Sequence, residues 1–226
     1  MAPFEFPEII SRHDIEAFID CPGDAPIVLW TLQHEAAVEH LNRSGQLTGN
    51  PSYAFPNAAP GKRLAYEWLR EMMSTNLLDY HQEWPVWGLL NRPNSRLTNR
   101  PNDVLLRMEI PKRRMLVCFY EGWLCLLGVM HHLDKDCGGK WPEQWVCYQD
   151  SPYIEPVRHE ATETETDLPK AKPWFFDENE CRKTWERIFD LTLYPQKGFT
   201  WNVQARNPLL QAVVPVIYRS DIATEV

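Results

Sequence analysis

The chain has 226 residues, 44% of them hydrophobic, with ten tryptophans and a formal net charge of −8. This is enough apolar material to bury the core of one domain, and it excludes a disordered chain. The acidic balance excludes sequence-blind nucleic-acid binding through a bulk positive surface, while leaving room for a local basic site.

Residues 1–25 are punctuated by prolines and carry a short helical pattern near Asp14 to Ile19. They read as an N-terminal extension packed on a single domain of residues 26–226. Ile27-Val28-Leu29-Trp30-Thr31-Leu32-Gln33 then runs apolar and ends polar, the pattern of a buried strand. A helix follows from His34, with Ala36, Ala37, Val38 and Leu41 on one face and Gly45 placed for a left-handed cap. Residues 50–60 read as loop. Leu64, Ala65, Trp68, Leu69, Met72 and Met73 recur at helical spacing and predict an amphipathic helix over 61–79.

Trp84-Pro85-Val86-Trp87 is short and β-like. Two Asn-Arg-Pro-Asn copies (91–94 and 99–102) flank Arg96 in a stretch that neither a helix nor a central strand accommodates. That stretch is either a solvated loop or one whose arginines, at 92, 96 and 100, grip a phosphate. Val104 to Ile110 and Met115 to Tyr120 are strand-like and separated by the basic turn Pro111-Lys112-Arg113-Arg114, which predicts a hairpin or adjacent strands. Gly122 to His132 reads as a buried helix, and Gly138-Gly139 as a turn.

Residues 155–169 form an acidic, apolar-free loop. Asp177 and Glu180 resemble a capping box that opens a helix through Cys181, Trp185, Ile188 and Phe189. Leu209 to Tyr218 is strand-like, with Pro215 favouring an edge or a bulge. Strands bracket the chain with helices between them and no regular β-α-β repeat, so the expected class is α+β.

No apolar run approaches the roughly 20 residues that span a bilayer. The start, Met-Ala-Pro-Phe-Glu-Phe, lacks the features of a secretion signal, so the expectation is a cytoplasmic protein with no membrane partner. The six cysteines are scattered without a Cys-x-x-Cys pair, as reduced core thiols would be. His131, His132, Asp134 and Cys137 come nearest to a ligand cluster but have no second pair, and no metal site is expected. Signatures of α/β-hydrolases, P-loop proteins, zincins and Rossmann domains are all missing.

A resemblance takes the reading further. The order L-W-T-x-Q (29–33), helix, G-x-L (45–47), A-Y-x-W-L-x-x-M (65–72), W-P-V-W (84–87), L-x-x-E-I-P (106–111), W-E-R-I-F-D-L (185–191) and L-Q-A (210–212) resembles an uncharacterised bacterial domain-of-unknown-function family. More remotely the layout is similar to the ADP-ribosyltransferase fold, especially the DarT-like toxins that modify DNA. That likeness implies a split mixed or antiparallel sheet with flanking helices, and NAD as the substrate.

It also implies roles for residues. Trp30, Thr31 and Gln33 match the first-strand motif of the nicotinamide pocket, and Trp87 falls where an aromatic ring stacks on nicotinamide. Gln211 stands where those toxins carry a catalytic glutamate. Tyr66 is expected either to face the pocket or to belong to the helix's apolar stripe. Arg92 and Arg96, with Arg100 and Lys112 to Arg114, would hold phosphates. An amide can bond a ribose hydroxyl but cannot offset the charge of an oxocarbenium-like transition state, so either another carboxylate, Glu109 or Glu225, supplies the charge, or catalysis is slow, or the fold is kept for binding. The implied function is an ADP-ribosyltransferase acting on a nucleic acid or protein, in a toxin–antitoxin or phage-defence system with a possible antitoxin partner. The alternatives are a catalytically degenerate binding protein and an NAD-independent RNA-targeting toxin.

Overall fold

The computed structural model describes residues 1–7, 10–54, 60–78, 80–93, 101–120, 123, 126–127, 146–147, 174–175, 185–193 and 209–223. The expectations for Arg96, Arg100, Gly138-Gly139, the acidic loop, the Asp177 capping box and Glu225 lie outside these residues, as does most of the 122–132 helix.

The fold is α+β. Helix α1 (Arg12–Asp20) precedes strand β1 (Pro26–His34), helix α2 (Glu35–Ser44) and the two-residue β2 (Gln46–Leu47). The short α3 (Pro51–Ala54) and the long α4 (Pro60–Asn76) follow, then β3 (Val86–Leu89), β4 (Asp103–Pro111) and β5 (Leu116–Phe119). Two-residue strands β6 (Val146–Cys147) and β7 (Trp174–Phe175) pair with each other, and β8 (Leu210–Val214) and β9 (Ile217–Tyr218) close the chain. Among the described residues, no helix is long and apolar enough to cross a membrane.

Local chemistry sets the boundaries of these elements. Ser11 accepts from the Asp14 amide while the Asp14 carboxylate accepts from the Ser11 amide, a capping box that starts α1. Gly45 ends α2 at φ 80°, ψ −5°, its N–H donating to Leu41 O at 2.9 Å. The expected left-handed glycine cap is present because L side chains resist that conformation. A proline at the first position of α4 gives up only an amide that the helix leaves unbonded anyway.

The main sheet has five antiparallel strands in the order β4-β1-β3-β8-β5. It consists of two halves. Strands β1 and β4 pair along nine positions, and β8 pairs with β3 and β5 at four positions each, but β1 and β3 share only Trp30↔Leu89. Where β1 and β3 diverge, Phe4 bridges Ile27 and occupies the gap.

Two expectations need correction here. Strands β4 and β5 are not adjacent; they form opposite edges of the sheet. The intervening Lys112–Arg114 is a 3-10 turn tied back to the chain before β1, with Lys112 N–H donating to Ala25 O and Arg113 N–H to Gly23 O. These bonds lead the chain away from β4, whereas a hairpin turn would fold it back alongside. Nor does Pro215 mark an edge strand. Strand β8 lies inside the sheet, and the proline falls after its last residue, before β9 pairs with β2.

One face of the sheet presents Ile27, Leu29, Leu106, Met108, Ile110, Val117 and Ala212 to Phe6, Ile15 and Phe18 of the N-terminal segment and Leu41 of α2. The other presents Cys118 and Val213, with Trp87 and Leu116 against it, to Ala65, Trp68, Leu69 and Met73 of α4 and to Trp123 and Trp185. The apolar stripe of α4 is therefore core. The outer edge of β4 is partly covered where Ile222 bridges Met108 and Ala223 N–H donates to Arg107 O.

Candidate functional site

Alternation along strands and the register between them fix which side chains share a surface. Across the α4-facing side runs the row Arg107–Trp30–Leu89–Gln211–Cys118, one residue from each strand in sheet order. Trp87, paired with Val213, sits one place along on the same side. The row crosses from one half of the sheet to the other at Trp30↔Leu89, the pair joining them.

Thr31 and Gln33 point the other way. Thr31 shares the parity of Leu29 and pairs with Leu106, both on the face covered by α1 and α2. Its hydroxyl donates to the Trp87 carbonyl at 2.7 Å and accepts from Gln33 Nε2 at 2.7 Å. Side chains from the back of β1 thus fix the backbone of the residue that carries the Trp87 ring on the front. Thr31 meets Trp87 through the main chain and does not share a surface with Gln211.

Aromatic packing builds the rest of the front. The Trp87 and Trp123 rings are 5.0 Å apart at 36°, and Tyr66 meets Trp123 edge-on at 5.1 Å and 87°. Burial pushes the Tyr66 phenol up from its ordinary range, partly offset by the nearby indole N–H groups of Trp87 and Trp123. Among the described residues the Trp87 N–H still lacks a well-formed hydrogen bond. So does the N–H of Trp30, which is only 7% exposed. Buried polar groups ordinarily find partners, so two such donors flanking one joint are an unusual concentration. The Arg92 guanidinium lies over the Trp30 ring, 5.2 Å from its centroid.

Gln211 is buried, and its Nε2 donates to Cys118 Sγ at 3.5 Å. Burial pushes the Cys118 thiol up to about 12, with the Gln211 bond opposing that rise. The Gln211–Cys118 pair is therefore neutral at physiological pH.

Of the two expected carboxylates, Glu225 lies outside the described residues and Glu109 is away from Gln211. Glu109 accepts from Arg107 at 2.6 Å, and that bond is the main reason the Arg107 guanidinium is raised above its ordinary value. Its strand, β4, is three strands from the β8 strand of Gln211, roughly 14 Å at ordinary strand spacing. Among the described residues no group of three or more His, Cys, Asp or Glu is placed to hold a metal ion.

The basic turn is committed to the fold. Lys112 Nζ donates to the carbonyls of Phe18, Ile19 and Cys21 at 2.7, 2.7 and 2.8 Å, closing the end of α1. Arg114 grips Asp221 with two bonds of 2.8 and 3.0 Å and also donates to Val216 O. Neither is free to hold a phosphate; the exposed Arg92 and Arg113 remain.

The family model for a domain of unknown function (DUF3841) matches residues 28–207, about four-fifths of the chain. The chain belongs to the DUF3841 family. No curated protein and no solved structure matches it. The DUF3841 match starts within β1 and takes in Trp30, Thr31, Gln33, Tyr66, Trp87 and Arg92, while Gln211 follows its end. Within the DUF3841 span, sequence reasoning missed Trp123, Cys118 and Arg107. Each sits in a strand- or helix-like run; strand pairing brings Arg107 beside Trp30 and Cys118 beside Gln211, and ring packing brings Trp123 against Trp87.

Proposed function

We propose that the front of the sheet joint binds the nicotinamide end of NAD, and that the chain acts as an ADP-ribosyltransferase on a nucleic acid or protein. The observation carrying this reading is the pair of buried indole N–H groups, Trp30 and Trp87, neither with a well-formed hydrogen bond among the described residues, on either side of the joint, with the Gln211 amide in the same row. A carboxamide offers the acceptor those donors lack, and indole faces suit a flat cationic ring. A sheet divided between β1 and β3 agrees with the split sheet of the ADP-ribosyltransferase reading.

In this reading Trp87 and Tyr66 form the wall of the site, Gln211 orients a ribose hydroxyl, and Thr31 and Gln33 are positioning residues that hold Trp87 from behind. Cleavage of the nicotinamide–ribose bond develops positive charge on the sugar, which a carboxylate ordinarily offsets. Gln211 cannot do this.

One observation favours a second reading, a binding protein without the chemistry. The Gln211 amide is buried against a neutral thiol, and Glu109 is engaged with Arg107 three strands away. An RNA-targeting toxin working through the basic turn gains no support, since Lys112 and Arg114 are consumed by internal contacts.

Purified protein is titrated with NAD by calorimetry and then incubated with radiolabelled NAD and bacterial extract. Binding that is weakened by Trp87→Ala, with label transferred to nucleic acid or protein and lost in Gln211→Ala, supports the transferase. Binding without transfer supports the second reading. Absence of NAD binding overturns the transferase and leaves a protein-binding role, which a co-purifying partner lost on mutation of exposed tryptophans would support.

A further inference from the structure

We infer that Arg92 is a built-in occupant of the Trp30 ring face, holding the place that a planar cationic ligand ring takes when it binds. This rests on the nicotinamide reading above for the identity of the ligand, an N-alkylpyridinium ring.

Two guanidinium groups border Trp30. Arg107 is its cross-strand partner and is locked by carboxylates, Glu109 at 2.6 Å and Glu5 at 3.7 Å. Arg92 has no ion pair with any described residue, and the contact it makes is with the Trp30 ring. Its position along the chain is nonetheless fixed. Leu90 and Asn91 are buried just before it, and Leu90 N–H donates to Leu210 O at 3.1 Å, so the backbone delivers Arg92 to the sheet joint while its side chain stays exposed.

A guanidinium is flat, delocalised and cationic, and it stacks on an indole for the same electrostatic reason that an N-alkylpyridinium does. The two compete for one surface. An exposed stack of this kind is weak, so a ligand displaces it at the cost of only a few-fold in affinity.

The test uses 1-methylnicotinamide, a cationic pyridinium without phosphates, so that Arg92 cannot contribute by binding an anion. Its binding to the full chain is followed by saturation-transfer NMR. Arg92→Ala tightens it by about two- to fivefold, the reciprocal of the displaced stack. Arg92→Lys gives an intermediate gain. In a Trp30→Phe background, which keeps a ring with a weaker face and guards against misfolding, the gain from Arg92→Ala shrinks. If Arg92→Ala leaves the affinity for 1-methylnicotinamide unchanged or lower while NAD still binds, Arg92 is no competitor and this inference falls alone. If neither NAD nor 1-methylnicotinamide binds the native chain or Arg92→Ala, the nicotinamide reading falls with it.

Discussion

Lys112 decides whether the basic turn after β4 belongs to the fold or to a ligand. Its ammonium donates to three carbonyls at the end of α1 at 2.7–2.8 Å and lies 4.9 Å from the Phe18 ring centroid. Lys112→Met keeps the aliphatic stem and removes the donors. A hydrogen bond to a charged group is worth about 1.5–3 kcal/mol net, but the three share one ammonium and the Ile19 bond is exposed, so water recovers part of the loss. The expected destabilisation is about 2–3 kcal/mol in total. Urea unfolding followed by tryptophan fluorescence measures it. With a slope of about 3 kcal/mol/M for a chain of this size, the midpoint falls by about 0.7–1 M. Lys112→Arg recovers little, because a planar fork cannot converge on three carbonyls. NAD affinity stays unchanged in Lys112→Met. A midpoint shift below about 0.2 M, or a loss of NAD affinity without loss of stability, would refute the structural assignment.

The remaining expectations bear on the same framework. Arg114→Ala strands the buried Asp221 carboxylate and costs about 3 kcal/mol, and Asp221→Asn in the same chain recovers part of it, as a double-mutant cycle in urea would show. Gly49→Ala places a Cβ 2.3 Å from the Pro85 carbonyl oxygen, a backbone clash expected to cost about 2–4 kcal/mol in the same assay. Thr31→Val removes both hydroxyl bonds and costs about 1–2 kcal/mol; if Thr31 acts only by holding Trp87, NAD binding weakens without disappearing. Cys118, raised from an ordinary 9.0 to about 12 by burial, keeps its proton in the folded chain while the unfolded chain loses it. The folded state then binds more protons, so its stability falls between pH 9 and 12, by at most about 1.4 kcal/mol per pH unit. Cys118→Ala flattens that decline in urea titrations.

What the sequence revealed and what it hid separate by range. Gly45 was legible because a helix cap is decided within a few residues, and α4 because its apolar spacing repeats over 17 residues. Strand partners were not legible. The runs that became β4 and β5 alternate properly, yet nothing in them says that one pairs with β1 and the other with β8. The basic turn looked like a phosphate site because the sequence shows charge but not its partners, which lie 91–107 residues away. Gln211 stood out as a polar residue in an apolar run, but its neighbour Cys118 is set by a pairing 93 residues distant.

Strand parity also decides what each half of the site can do. Trp30, Trp87 and Gln211 share the front of the joint, whereas Thr31 lies behind it. Under the proposed reading Thr31 therefore acts through the Trp87 main chain, as a positioning residue. Its hydroxyl, donating to the Trp87 carbonyl and receiving from Gln33, tunes where the Trp87 ring sits. The front then offers donors, ring faces and an amide, which under the proposed reading suit a flat cation with a carboxamide and are poor at stabilising an oxocarbenium ion. Under the proposed transferase reading a carboxylate other than Glu109 would have to complete this row, because Glu109 is held by Arg107 at the far edge of the sheet.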